Sequence, residues 1–113
     1  MTSFPIPTEA DIQRVVALVV ETVQPLRIVL FGSAARGELR EGSDLDLMVV
    51  MPEGVDTLKV AQALHVAMGR ERDLLVGVDF IVTTPSRFET HKDSLGNVCR
   101  DVARDGQELY AAA

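Results

Sequence analysis

The sequence predicts a single α/β or α+β domain built around a small, mostly buried sheet. Two observations carry this prediction. Helical patterns alternate with short apolar runs along the chain, and 113 residues suffice for one compact domain but not for two. Because no repeat, low-complexity tract or linker divides the chain, we expect residues 1–113 to form one domain.

The first elements are a helix and a strand. Thr8 and Asp11 have the spacing of a capping box, and apolar residues at helical spacing follow as far as Val23. Pro25 ends this predicted helix. The next run, 27–31 (RIVLF), is almost continuously apolar and predicts a strand that is buried on both faces.

The middle of the chain continues the alternation. A glycine-rich connection over 32–42 leads to a second predicted strand over 44–51 (DLDLMVVM). Asp56 is placed to cap a helix that runs from 57 to 71. The apolar run 74–83 (LLVGVDFIVT) predicts a third strand, which would lie in the same sheet.

The C-terminal region completes the order of elements. Pro85 opens a short helical or irregular stretch, and residues 97–105 predict a final helix that ends at Gly106. Residues 108–110 remain as a short edge strand or a tail. The predicted order is therefore α-β-loop-β-α-β-α.

Composition and charge exclude several classes of protein. The formal net charge of −6 argues against a general nucleic-acid binder, and aromatic residues at 4% argue against a base-stacking platform. A single cysteine, Cys99, allows no internal disulfide, which is typical of a reducing compartment. No apolar run approaches the roughly 20 residues of a membrane span, and the N-terminus lacks a signal-peptide pattern. We expect a soluble protein of the cytoplasm.

Three aspartates are the candidate catalytic residues. Asp44 and Asp46 are two apart on a predicted strand, so their side chains share one face while Leu45 and Leu47 point into the core. Paired carboxylates repel each other, and such hard oxygen ligands suit Mg²⁺ or Mn²⁺. Asp79 lies in an apolar strand, where an unpaired charge would be costly. If that strand adjoins the Asp44 strand, the three carboxylates converge on one metal cluster.

The glycine-serine loop upstream predicts a phosphate site. Gly32 and Ser33 directly follow a buried strand, so backbone amides and the Ser33 hydroxyl would face an anion there. The spacing from Gly32 to Gly37 mimics a P-loop, but Glu38 follows instead of lysine, which excludes a Walker-type ATPase. Arg36 would either pair with phosphate or tie the loop to a neighbouring carboxylate. Gly77, two residues before Asp79, would leave room for a ligand.

Together these segments resemble a known family. A Gly32-Ser33 loop that ends at Gly37, an Asp44-x-Asp46 strand and a distant Asp79 are similar to the signature of the DNA polymerase β nucleotidyltransferase superfamily. More narrowly, the chain resembles the minimal nucleotidyltransferases (MNT) found beside HEPN-domain partners. The resemblance covers essentially the whole chain, and it implies the polymerase β-like fold, a small mixed sheet flanked by helices.

The resemblance also implies an activity. Gly32 and Ser33 would hold the triphosphate of ATP, with Arg36 of the same loop as a further candidate for the phosphates, and Asp44 and Asp46 would bind two Mg²⁺ ions. Asp79 would help to hold the catalytic metal and activate the acceptor hydroxyl. The expected reaction moves a nucleoside monophosphate, AMP in the leading case, to a hydroxyl and releases pyrophosphate.

The sequence does not fix the partner protein or the molecule that accepts the nucleotide. The resemblance implies that the chain is an antitoxin that adenylylates a HEPN toxin on a tyrosine hydroxyl, and it also allows a homodimer. One alternative is a non-catalytic antitoxin that masks its partner. Another is a transferase that acts on a small molecule such as an aminoglycoside antibiotic.

Overall fold

Four strands form one sheet in the computed structural model, which describes residues 6–71, 74 and 76–113. The strands are β1 (Arg27–Phe31), β2 (Leu45–Val50), β3 (Val78–Thr83) and β4 (Gln107–Ala111). Their order across the sheet is β3-β2-β1-β4. β1 is antiparallel to both β2 and β4, whereas β2 and β3 are parallel. The sheet is small and mixed, which confirms the predicted fold class.

Helices connect the strands and cover the sheet. Over the described residues they are α1 (Glu9–Val23), α2 (Gly32–Ala35), α3 (Thr57–Gly69), α4 (Pro85–His91) and α5 (Val98–Asp105). α3 is the crossover that the parallel pair β2 and β3 requires. α2 is a single turn that directly follows β1. Within the described part of the chain, no helix has both the length and the apolar character to cross a membrane.

Side chains of β2 alternate between two apolar layers. Leu45, Leu47 and Val49 are fully buried in the layer that α1 and α3 cover, as their spacing predicts. Met48 is also buried, but on the opposite face, where α5 packs against the sheet. Because helices cover both faces, this strand is apolar almost throughout. Asp46 is the polar exception, and it lies on the α5 face near the start of the strand.

The third strand starts later than predicted. β3 begins at Val78 rather than at Leu74. Leu74 is nonetheless buried in the α1 and α3 layer, so its apolar character reflects packing of the connection rather than strand pairing. Residue 75 of this predicted strand lies outside the described residues, as do residues 72 and 73 between the predicted helix and the predicted strand.

Two segments near the C-terminus, for which the sequence allowed either regular or irregular structure, form a helix and a strand. Pro85 occupies the first position of the short helix α4. The segment left as an edge strand or a tail is β4, which pairs with β1 and forms one edge of the sheet. The strand order also puts β2 between β1 and β3, so residues from three strands can meet at its N-terminal end.

The cap of α3 provides a test of this fold. The Asp56 carboxylate accepts hydrogen bonds from the N–H groups of Leu58 and Lys59, at 3.1 and 3.2 Å. Asp56→Ala is expected to lower the free energy of unfolding by about 1 kcal/mol, because these N–H groups lose their acceptor. Urea denaturation followed by circular dichroism measures the change. Asp93→Ala, at an exposed aspartate in a turn, is the control and should leave stability unchanged.

Candidate active site

The predicted carboxylates lie at one end of the sheet, where β1 ends and β2 and β3 begin. Asp46 is the register partner of Asp79 on one side and of Phe31, the last residue of β1, on the other. Because register partners in neighbouring strands point to the same face, the Asp46 and Asp79 side chains both lie on the α5 face. Asp44 directly precedes β2, and its neighbour Leu45 continues the strand pairing through a hydrogen bond to Gly77.

Two glycines give two of these carboxylates their positions. A Cβ atom on Gly32 would collide with Oδ2 of Asp46, and a Cβ atom on Gly77 would collide with Oδ1 of Asp44. Gly32 also has a φ of +71°, in the region that favours glycine. The sequence predicts that Gly77 leaves room for a ligand. In the structure the Asp44 side chain fills the space beside Gly77 instead.

Burial and neighbouring negative charge both act on the Asp46 carboxyl group. Its pKa is raised by partial burial first, and then by the negative charges of Asp79 and Asp44. Arg36 lowers the pKa by a smaller amount. Asp46 therefore feels the negative charge of both other carboxylates, and a cation beside Asp46 would relieve that repulsion.

Exposure differs among the three aspartates. Asp46 is half-buried, whereas Asp44 and Asp79 are exposed. The prediction that Asp79 occupies an apolar environment was wrong, and the physical reason is its place in the sheet. β3 is an edge strand, and Asp79 is its second residue, so the carboxylate opens to solvent at the end of the sheet.

The glycine-serine loop closes on itself beside Asp46. The N–H group of Arg36 donates to the carbonyl of Gly32 at 3.3 Å, and that of Glu38 donates to the carbonyl of Ser33 at 2.8 Å. These bonds hold residues 32–38 as one turn of helix and a tight return. Since the first N–H groups of a helix lack an intrahelical acceptor, the start of α2 leaves donors free close to Asp46, which contacts Gly32. The phosphate-binding role of Gly32 and Ser33 stays a prediction.

Arg36 pairs with a carboxylate of its own loop. Its Nε donates to Oε1 and Oε2 of Glu38, at 3.0 and 3.3 Å. The hydrogen bond and the charge of Glu38 raise the pKa of Arg36, and Asp105 and Asp101 of α5 add smaller effects. Of the two predicted roles, the structure shows the link to a neighbouring carboxylate. Pairing with phosphate stays a prediction. In the described hydrogen bonds Arg36 donates through Nε and not through its terminal guanidinium nitrogens.

Sequence reasoning did not identify Glu38 or α5 as parts of this site. In the sequence Glu38 indicates only that the loop is not of the Walker type. Its position two residues after Arg36 could also have predicted an ion pair between the two side chains. Asp101 and Asp105 gave no local signal, because their proximity to Arg36 depends on how α5 packs against the sheet.

The donor chemistry fits a divalent cation. Carboxylate oxygens are the ligands that Mg²⁺ and Mn²⁺ prefer, and partial burial together with the charges of Asp79 and Asp44 raises the pKa of Asp46. Over the described ranges, no three His, Cys, Asp or Glu side chains are gathered into a group that could hold a metal ion. The role of Asp44, Asp46 and Asp79 as metal ligands thus stays a prediction.

The raised pKa leads to a stability test in metal-free buffer. Because the pKa of Asp46 is raised in the folded protein, the folded state binds the carboxyl proton of Asp46 more tightly than the unfolded chain does. Ionisation of Asp46 therefore lowers the free energy of unfolding as the pH rises. Asp46→Asn is expected to be more stable than the wild-type chain at neutral pH. The gain should vanish below about pH 4, where aspartates are protonated in both states.

Thermal melts in chelator across the acidic and neutral range measure this difference. Addition of Mg²⁺ should then raise the melting temperature of the wild-type chain but not that of Asp46→Asn. A variant less stable than the wild-type chain at neutral pH without metal would show that repulsion at Asp46 does not weaken the fold.

Comparison with known proteins supports the fold and one family. A family model described as a nucleotidyltransferase domain matches residues 12–107. A comparison with curated proteins finds no match. One similar solved structure is a toxin-antitoxin with AMP-PNP, with a TM-score of 0.58 and 21% identity over 88% of this chain and 73% of that chain.

Two further solved structures show the same fold. One, from Sulfolobus solfataricus, is described as a nucleotidyltransferase; its TM-score is 0.60 at 19% identity, and the match covers 90% of this chain and 78% of that chain. The other is a variant of the toxin-antitoxin MntA-HpeT, with a TM-score of 0.57 and 19% identity over 88% of this chain and 73% of that chain. At these identities the likeness concerns the fold.

Proposed function

The chain belongs to the nucleotidyltransferase domain family, and we propose that it transfers AMP from ATP to a hydroxyl of a toxin partner in the cytoplasm. The observation that carries this proposal is that Asp46 and Asp79 are register partners at the end of the sheet, with Asp44 directly before β2 and the loop that begins at Gly32 against Asp46. On this proposal the chain is an antitoxin that inactivates its partner by modifying it.

The proposed nucleotide site uses residues on both sides of β2. Asp44, Asp46 and Asp79 would hold two Mg²⁺ ions, because their oxygens are hard ligands and the charges of Asp44 and Asp79 act against ionisation of Asp46 when no cation is bound. The bound ions would neutralise charge on the attacking and leaving oxygens. The start of α2, with Ser33, would receive the triphosphate, and Arg36 would pair with its outer phosphates.

The proposed reaction is an in-line displacement at the α-phosphorus. The acceptor hydroxyl oxygen forms a new bond to that phosphorus, and the bond from it to the bridging oxygen of the β-phosphate breaks. Pyrophosphate leaves with the electron pair. The Asp79 carboxylate takes the hydroxyl proton, a role that suits an exposed group at the edge of the site.

Two solved structures with this fold support a toxin as the acceptor. Both are toxin-antitoxin assemblies, one with AMP-PNP and one named MntA-HpeT. The pattern of motifs resembles the MNT proteins that accompany HEPN partners, so we propose a tyrosine hydroxyl of a HEPN-domain toxin as the acceptor. Small-molecule acceptors and masking without catalysis are the outcomes against which this proposal is tested.

The test combines this chain with the protein that the neighbouring gene encodes. The two are incubated with Mg²⁺ and α-labelled ATP, with the Asp44→Ala/Asp46→Ala variant as the blank. We expect label on the neighbour with the wild-type chain only, and peptide mass spectrometry to place it on a tyrosine. A stable complex that inactivates the neighbour without any label would instead identify a masking antitoxin.

A further inference from the structure

A groove of about 550 Å³ lies along α1, on the side of this helix that faces the edge strand β4. It belongs to the α1 and α3 face of the sheet, whereas Asp46 lies on the α5 face. It therefore plays no part in the proposed reaction. Its apolar surface is formed by Ile12, Val16, Ala17, Val20, Leu109 and Tyr110.

A bulge in β4 enlarges this apolar surface. Ile28 of β1 pairs with Tyr110, but the next residue, Val29, pairs with Glu108, so Leu109 is an extra residue in β4. A bulge of this kind breaks the alternation of side chains along a strand. As a result, the consecutive residues Leu109 and Tyr110 both pack against the layer beneath α1, and both line the groove while staying partly exposed.

The dimensions of the groove suit a helix. Glu9 and Glu21, its outermost residues along α1, are separated by twelve positions, which is about 18 Å along a helix axis. In layered folds, the apolar face of a sheet is covered by helices. At β4 the covering helix on this face is missing from the described residues, so the groove offers the place that such a helix would take.

The acidic residues that line the groove favour a positively charged binding partner. Glu9 and Glu21 lie at its two ends, and lysine and arginine do not occur among its described lining residues. A second copy of the chain that packed α1 antiparallel on α1 would bring Glu9 of one copy against Glu21 of the other, which is unfavourable. We propose that the groove docks an amphipathic helix of a partner protein, with an apolar stripe of about three turns and basic residues at both ends.

Binding of designed peptides tests this inference without any need for transfer activity. A fluorescent helical peptide with leucines at helical spacing and lysines at both ends is compared with a twin that carries glutamates at the ends. Anisotropy titration against the full chain should show about tenfold tighter binding of the lysine peptide. The double variant Glu9→Lys/Glu21→Lys should reverse that preference.

A matched pair of variants locates the binding site. Ala17→Arg places a long cation among the residues that line the groove and should weaken binding of the lysine peptide by about tenfold or more. Ala63→Arg, at an exposed alanine in α3 outside the groove, should leave binding unchanged. Circular dichroism confirms that both variants fold.

Three results would overturn the inference. The first is equal affinity for both peptides, or no binding of either at millimolar concentration. The second is equal weakening by Ala17→Arg and Ala63→Arg. The third is a dimer of the wild-type chain, seen by sedimentation, that Ala17→Arg alone converts to monomer, because a second copy would then be the occupant.

Discussion

The double variant Asp44→Asn/Asp46→Asn is expected to transfer nucleotide at least about a thousandfold more slowly than the wild-type chain. Asparagine keeps the shape of aspartate but removes the negative charge that would hold Mg²⁺. In the sheet Asp46 has Asp79 as its register partner on β3 and the apolar Phe31 on β1, so its loss leaves Asp79 as the carboxylate of this register row. The measurement is the initial rate of label incorporation from α-labelled ATP at saturating Mg²⁺.

A control aspartate separates this effect from a general loss of charge. Asp93→Asn changes an exposed residue in the turn after α4 and should keep the wild-type rate. The thermal stability of the double variant should equal or exceed that of the wild-type chain without metal, since repulsion with Asp79 is relieved. A double variant that keeps more than about a tenth of the rate would remove these carboxylates from the mechanism.

The second large effect is expected at Gly77. In Gly77→Ala the new Cβ atom meets Oδ1 of Asp44, so the carboxylate must move out of its position. We expect transfer to fall by about a hundredfold, because small displacements of a catalytic group are costly. Stability should change little, since Asp44 is exposed and can swing toward solvent. Gly69→Ala is the matched control, because nothing lies within 4 Å of its Cβ position.

Gly32→Ala should lose stability as well as activity. Its Cβ atom meets Asp46, and its φ of +71° is strained for alanine by about 1–2 kcal/mol. Gly54→Ala shares the positive φ but meets nothing, so it should lose stability alone. Transfer rates and urea denaturation of Gly32→Ala and Gly54→Ala separate the loss of activity from the loss of stability.

Full activity in Gly77→Ala would mean that the position of Asp44 against Gly77 is irrelevant to transfer.

Local pattern predicted much of the fold. The period of two along β2 placed Leu45, Leu47 and Val49 in the core, and each is fully buried. The capping box of α1 and the Asp56 cap of α3 are both present. These features depend on residues close in sequence, so the sequence specifies them directly.

Features that depend on distant contacts were less accessible. The alignment of Asp46 with Asp79 requires the parallel pairing of β2 with β3, and the local sequence of either strand does not specify its neighbour. The contact of Asp44 with Gly77 depends on the register of the same pair. The bulge at Leu109 depends on how β4 meets β1, and no local signal marked it.

The central claim is that this chain breaks ATP between the α- and β-phosphates and transfers the nucleotide. Parallel reactions with α-labelled and γ-labelled ATP, in the presence of Mg²⁺ and the protein of the neighbouring gene, test it most directly. The account predicts α-label on the acceptor, γ-label in pyrophosphate, and neither product with Asp44→Asn/Asp46→Asn. Transfer of the γ-label to the acceptor, or α-label transfer that survives in the double variant, would contradict it.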